Sequence, residues 1–257
     1  MFKNNVGVLF ISLAVIISSI IGGLFFYQAQ KPQNTIKTVG IASHQFTADT
    51  IKWNITLEEK VGPDHLKKGY QKLDEQIKNL RDILKNNGIE LENIDKKPIN
   101  VNEEYEYKNN NGSQEKIFSG YRLSQNLYVV SKKVDSIENL VYNPVSLLDN
   151  NINARHSNLQ YYYSKIDELK KDIIGKAAAN AEERAEKMLE NTDMKIGKTI
   201  SLNSGVFQIT EPNSTRVSSS GIYQTSTRKK EIKVTVHATY LLKWFHNLSF
   251  LANLKKV

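Results

Sequence analysis

The sequence predicts an α+β body, mostly antiparallel sheet covered by helices, behind one N-terminal transmembrane helix. Three observations support this. From Asn4 to Gln30 there is no Asp, Glu, Lys or Arg. Beyond Lys31 the chain turns polar and patterned. Within that part, runs with a period of two alternate with runs spaced by three and four, the signatures of half-buried strands and amphipathic helices.

The apolar stretch Val6–Tyr27 has 22 residues, and about 20 helical residues cross a bilayer's hydrocarbon core. Val6, Leu9, Phe10, Ile16 and Ile20 supply the lipid-facing bulk, and Phe25, Phe26 and Tyr27 form an interfacial aromatic belt. The run is longer than the apolar core of a secretory signal, and Tyr27 stands where cleavage wants a small residue. An uncleaved anchor is therefore expected, with a cleaved signal as the alternative. Lysines flank both ends (Lys3 against Lys31 and Lys37), so charge hardly decides orientation. The short tail 1–5 favours an inside amino terminus and an outside body. The expected organisation is tail 1–5, membrane helix 6–27, linker 28–34, body 35–242 and a carboxy-terminal amphipathic helix 243–257.

The body begins with a short β-prone run, Thr35 to Ile41. Ile51, Trp53, Ile55 and Leu57 then alternate with Lys52, Asn54 and Thr56, a strand with one buried face. Gly62-Pro63-Asp64 opens a helix, with Asp64 as cap. Its stripe is Leu66, Tyr70, Leu73, Ile77, Leu80 and Leu84, and Gly88 stops it. Ile99, Val101, Tyr105 and Tyr107 mark a strand, Asn109 to Gly112 a turn, and Ile117, Tyr121, Leu123, Leu127 and Val129 a long return arm. The helix must cover one sheet face, since each large apolar side chain left wet costs about 1.5–3 kcal/mol.

Next comes a helix from Ile137 to Leu148 disturbed at Pro144, then a short strand at Leu159, Tyr161 and Tyr163. Lys165 to Asn191 is the strongest helix, with Leu169, Ile173, Ala177, Ala181, Ala185, Met188 and Leu189 as its apolar positions. A strand over Ile196–Leu202 follows, then a mobile Ser/Thr/Asn-rich loop from Thr210 to Thr227. A last strand carries Ile232, Val234, Val236, Ala238 and Tyr240. In the tail Leu241, Trp244, Phe245, Leu248, Leu251 and Leu254 share a helical face. Trp244, Phe245, Leu248 and Leu251 form a candidate contact surface, against the body, a neighbour or the membrane.

The formal charge is +8, from 35 basic and 27 acidic residues. The basic residues are spread through mixed helices, and the compact clusters Arg228-Lys229-Lys230 and Lys255-Lys256 read as solvated surface, so no nucleic-acid partner is expected. With no cysteine, thiolate catalysis and disulfides are excluded. His44, His65, His156, His237 and His246 are scattered, so no metal site is expected. Gly197-Lys198-Thr199 lacks the leading Gly of a phosphate loop, since Thr192 stands there. Glu103, Glu104 and Glu106 read as solvated charge. No catalytic residue and no cofactor is expected.

The strings Thr38-Val39-Gly40, Ile117–Val130 (IFSGYRLSQNLYVV), Lys170–Leu189, Ile196-Gly197 and Glu231–Leu242, taken in order, resemble the SIMPL-domain family. The resemblance covers about 35–242. That family includes bacterial periplasmic and outer-membrane immunogenic proteins and a mammalian kinase-associated protein. Asn153-Ala154 replaces a Gly-Ala pair frequent in the family, and the helix beyond Leu242 is additional. The resemblance implies an α+β envelope domain, ring-like oligomers in some members, links to oxidative stress in some relatives, and no catalytic residues.

The expected function is that of a membrane-tethered envelope interaction protein, a homo-oligomer or one with an envelope protein partner. Its body would lie outside the inner (cytoplasmic) membrane, facing the periplasm or exterior. Tyr105, Tyr107, Tyr161, Tyr162 and Tyr163 are candidate contacts. The alternatives are an envelope enzyme with a dispersed active site and a lipid or small-molecule carrier.

Overall fold

The structure, a computed structural model, describes residues 3–29, 34–90, 94–110 and 113–244. The chain is α+β as expected, with five helices and two five-stranded, mostly antiparallel sheets among the described residues. It divides into two compact units. One comprises Met1–Gly40, Ala178–Ser204 and Val236–Val257, the other Ile41–Ala177 and Gly205–Thr235.

In the larger unit, β2 (Thr50–Val61) lies between β5 (Ser113–Ser131) and β6 (Ala154–Tyr162), antiparallel to both. The alternation read in the sequence is realised: Ile51, Trp53, Ile55 and Leu57 are all buried. Val129 and Leu127 stand opposite Trp53 and Ile55 on the same face. Helix α2 (Leu66–Asn86) closes that face with Leu73, Ile77, Leu80 and Leu84. Trp53 is buried, yet its indole N–H donates to Ser157 Oγ at 2.7 Å, which meets the requirement of a buried Trp for an acceptor.

Helix α2 starts differently from expectation. Asp64 does not cap it: the N-cap is His65, which makes no side-chain capping bond, and a backbone bond from His65 N to Gly62 O closes the preceding turn. Tyr70 is exposed rather than part of the buried stripe. The end is as expected. Gly88 takes a φ of 73°, its N–H bonds Lys85 O, and the Ile89 N–H reaches back to Leu84 O. These two bonds make a Schellman stop, which a left-handed glycine permits.

The strand β3 (Ile94–Lys96) and the strand β4 (Asn100–Asn110) both pair with β5. Asn110 opposite Ser113 closes the hairpin where the turn was expected. Pro144 splits the next helical segment into α3 (Val134–Tyr142) and α4 (Pro144–Asp149), standing in the first turn of the second. Val134, Ile137, Leu140 and Leu147 from these helices join the α2-covered core.

The segment read as a mobile loop is tied down. The strands β8 (Gln208–Thr210) and β9 (Ile222–Tyr223) pair in parallel, and β8 pairs with β10 (Lys229–Trp244) through Ile209 and Ile232. The Gln208 side chain clamps Ser218, donating to its carbonyl at 2.7 Å and accepting its N–H at 3.2 Å. Tyr161 N donates to Thr225 O at 2.7 Å. Ser/Thr/Asn-rich composition marks irregular backbone. Here that backbone finds partners at almost every turn.

In the smaller unit, the Val236–Trp244 part of β10 pairs antiparallel with β7 (Met194–Ser204). The strand β1 (Thr35–Thr47) also pairs with β10. Helix α5 (Ile166–Leu189) brings Ala181, Ala185 and Leu189 against Ile36, Ala238 and Tyr240. Small side chains let the helix backbone approach closely enough for Thr38 Oγ1 to donate to Ala181 O at 2.9 Å. Met188, placed on the stripe by the sequence, is exposed. The strand β10 runs to Trp244, so residues 241–244 are strand rather than the start of the tail helix, and 245–257 lie outside the described residues. Ala181→Asp should destabilise the fold by about 3 kcal/mol or more, because an unpaired carboxylate would be buried. Thermal unfolding checks this, and an unchanged midpoint would place Ala181 on solvent.

Candidate interaction site

Helix α1 (Lys3–Ala29) contains all the expected anchor residues. Leu9, Phe10, Ile16, Ile20, Phe25, Phe26 and Tyr27 are exposed; Val6 lies in the same helix. The stretch Leu9–Tyr27, 19 residues with none of it buried, is long and apolar enough to cross a membrane as an anchor or to serve as a signal. Its hydroxyls are satisfied locally: Ser18 and Ser19 both donate to Val15 O, at 2.9 and 2.8 Å.

A second exposed feature was not legible as such. The strand β2 pairs with β5 only from Tyr121 onward. Among the described residues, Ser113–Gly120 is paired with β4 alone, and β4 with β5 alone. The outer hairpin is thus a two-stranded arm with both edges open. It departs at Gly120, where φ is 144° and an added Cβ would lie 2.0 Å from Val61 O, so only glycine fits. One face is aromatic. Tyr105 packs edge-on against Phe118 at 5.7 Å, Phe118 against Tyr121 at 5.1 Å, and Lys116 Nζ sits 3.8 Å from the Tyr105 ring centroid. Tyr107 is 64% exposed, and Ile117 lies exposed on the arm as well.

The other tyrosines behave differently. Tyr161 is core: its hydroxyl donates to Glu138 Oε1 at 2.8 Å, and burial pushes its pKa up. Tyr162 stacks on Tyr223 at 6.4 Å and Tyr163 tilts against Phe46 at 5.0 Å. Of the four tail residues, Trp244 is 64% exposed at the end of β10; Phe245, Leu248 and Leu251 lie outside the described residues.

Two charge networks stand behind these surfaces. On the face of β2 opposite Trp53, a ribbon of alternating sign crosses the sheet. Arg122 holds Glu104 with contacts of 2.6 and 2.8 Å, lies 3.7 Å from Glu58, and Glu58 accepts from Arg155 at 2.9 and 3.0 Å. Hydrogen bonding from Arg122 lowers the Glu104 pKa. Elsewhere Arg228 Nη1 joins Asp135 at 2.6 Å and Glu138 at 2.8 Å; its hydrogen bond lowers the Asp135 pKa.

The Arg228-Lys229-Lys230 cluster is therefore not a solvated patch. Arg228 is in this network and Lys230 is wholly buried, its ammonium donating to Gln224 O. The signal was parity: Lys230 shares the inward face of Ile232, Val234 and Val236. In the first network two arginines balance two glutamates, an arrangement suited to holding strands together, while in the second one arginine bridges two carboxylates. Among the described residues no group of three His, Cys, Asp or Glu side chains gathers as a metal site.

The family profile of SIMPL, described as a protein of unknown function (DUF541), matches residues 36–240. The chain belongs to the SIMPL family. No curated protein sequence matches it. The matched region covers most of both sheets, the arm and helix α5, and α1 lies outside it.

Burial pushes the Lys230 pKa down to about 8 from its ordinary 10.5. Between those values the unfolded chain binds the proton that the folded chain has released, so stability should rise with pH across that window. The slope contributed is at most ~1.4 kcal/mol per pH unit. Lys230→Met should lose this increment. Denaturant unfolding of both proteins at pH 7.5 and pH 9.5 measures it; parallel behaviour would show that Lys230 is not desolvated.

Proposed function

We propose that this SIMPL protein is a membrane-tethered, self-associating envelope protein without catalytic chemistry. The observation that carries the reading is the β4–β5 arm. A two-stranded ribbon in water is marginal by itself, and open edges are templates for another strand. An arm with an aromatic face and two free edges gains most by pairing with a second copy. The acidic β4, with Glu103, Glu104 and Glu106 against Lys108, disfavours pairing with its own kind. The outer edge of β5, with Glu115 and Lys116, is the better mate. Such a contact is heterologous, the kind that closes into rings when the rotation permits. The resemblance to oligomeric envelope members points the same way.

Native mass measurement in mild detergent should show a multimer. The paired change Tyr107→Asp and Ile117→Asp should reduce it to monomer while shifting stability by no more than ~0.5 kcal/mol, as surface substitutions do. A wild-type monomer would sink self-association.

Helix α1 supports the tether, and the resemblance supports a body outside the inner membrane. The chain has no cysteine, so a single introduced thiol has no background. Val217 is exposed in the larger unit. Val217→Cys should be labelled by a membrane-impermeant maleimide on intact spheroplasts. Labelling only after lysis would put the body in the cytoplasm.

A further inference from the structure

We infer that the Trp244 end of the smaller unit's sheet rests on the membrane surface, with Trp244 among the lipid headgroups and Lys195 and Lys243 facing anionic lipid. The inference rests on the tether proposed above and adds a second membrane contact to it. The structural link is one hydrogen bond. Leu242 N donates to Asn34 O at 2.8 Å, which fastens the end of β10 to the residue where the body begins. Tyr27, the last residue of the apolar span, precedes Asn34 by seven residues, at most ~25 Å of extended chain. Trp244 lies two residues beyond Leu242, about 7 Å further. The anchor thus holds this end of the sheet close to the headgroup layer.

The chemistry of that end suits a lipid surface. Even-numbered residues of β10 face inward: Val236, Ala238 and Tyr240 are buried. Leu242 and its partner Ile196 pack on the same core. The next pair, Trp244 opposite Met194, continues that apolar face, yet Trp244 is 64% exposed. Helix α5, which covers the face, stops at Leu189. An indole at the edge of an apolar surface, with its N–H free to face water, is the side chain favoured at membrane interfaces.

On the opposite face Lys243 stands directly across from Lys195. Lysines beside a bilayer are drawn towards anionic lipid. The Lys243 side chain passes over Gly197, within 3.0 Å of where a Cβ would stand. The tip of the sheet thus carries an exposed indole and two lysines at one end, a combination found in membrane-surface elements. A cleft of about 440 Å³ lies beside it, with Leu189, Met194, Lys195 and Ile196 in its wall together with Glu186 and Glu190, and is the rival resting place for Trp244.

The test uses the full chain in phosphatidylglycerol-containing vesicles, with or without bromine on the lipid acyl chains near the headgroup. The chain has two tryptophans. Trp53 is wholly buried in the larger unit and serves as the unquenched reference. Brominated lipid should remove the part of the emission that Trp244→Phe also removes. Lys195→Glu with Lys243→Glu should reduce that quenching at least twofold. Unchanged emission in brominated vesicles, with the chain still resisting alkaline carbonate extraction, would overturn this inference and leave the tether standing. Release by carbonate would remove the tether and the inference together.

Discussion

The larger unit depends on burying one face of β2. Ile51, Trp53, Ile55 and Leu57 have two antiparallel neighbours to align them and one helix to cover them. Because strand side chains alternate with a period of two, a slip of one residue would turn this whole face to water. Register, the position of α2, and the hydrogen bond from Trp53 to Ser157 all follow from that one constraint. The outer face is then free to carry charge, and the Glu104–Arg122–Glu58–Arg155 ribbon occupies it.

The same sheet explains where the structure is incomplete. The strand β5 is longer than β2, so part of it extends past the last residue β2 can offer. Gly120 marks the departure. Among the described residues, what lies beyond has a strand partner on one side only. Hydrophobic burial holds the inner half of β5, while the outer half keeps exposed apolar side chains and open backbone edges. Natural sheets shield such edges with charge, and the lysines and glutamates of the arm do so in part. The same charges restrict which strand can be added.

The smaller unit is built on a different principle. Its helix contributes mainly alanines, with Leu189 at the end, so the contact gains from close approach more than from area. Thr38 reaching Ala181 O, and Arg184 donating to Val39 O at 2.6 Å, are possible because nothing bulky intervenes. The cover ends with the helix. The sheet continues to Trp244, and its apolar side becomes a surface.

The sequence by itself determined whatever is periodic and local. The uncharged stretch from Asn4 to Gln30, the alternation in β2 and β10, the stripes of α2 and α5 and the glycine stop at Gly88 are each written within one turn or one strand, and family membership follows from their order. What depends on distant partners was not legible. Lys230 reads as part of a basic run until β10 places it inward, and Tyr161 reads as surface until Glu138, itself held by Arg228, takes its hydroxyl. Asp64 reads as a cap, but the turn closed at Gly62 makes His65 the boundary. The Thr210–Thr227 segment reads as mobile because its composition is polar, while its order comes from the side chain of Gln208 just before it, from β10 and from the distant Tyr161. That there are two sheets, and that the β4–β5 arm stands alone, depends on which strand ends first. Strand length is set by neighbours, so only the tertiary structure decided it.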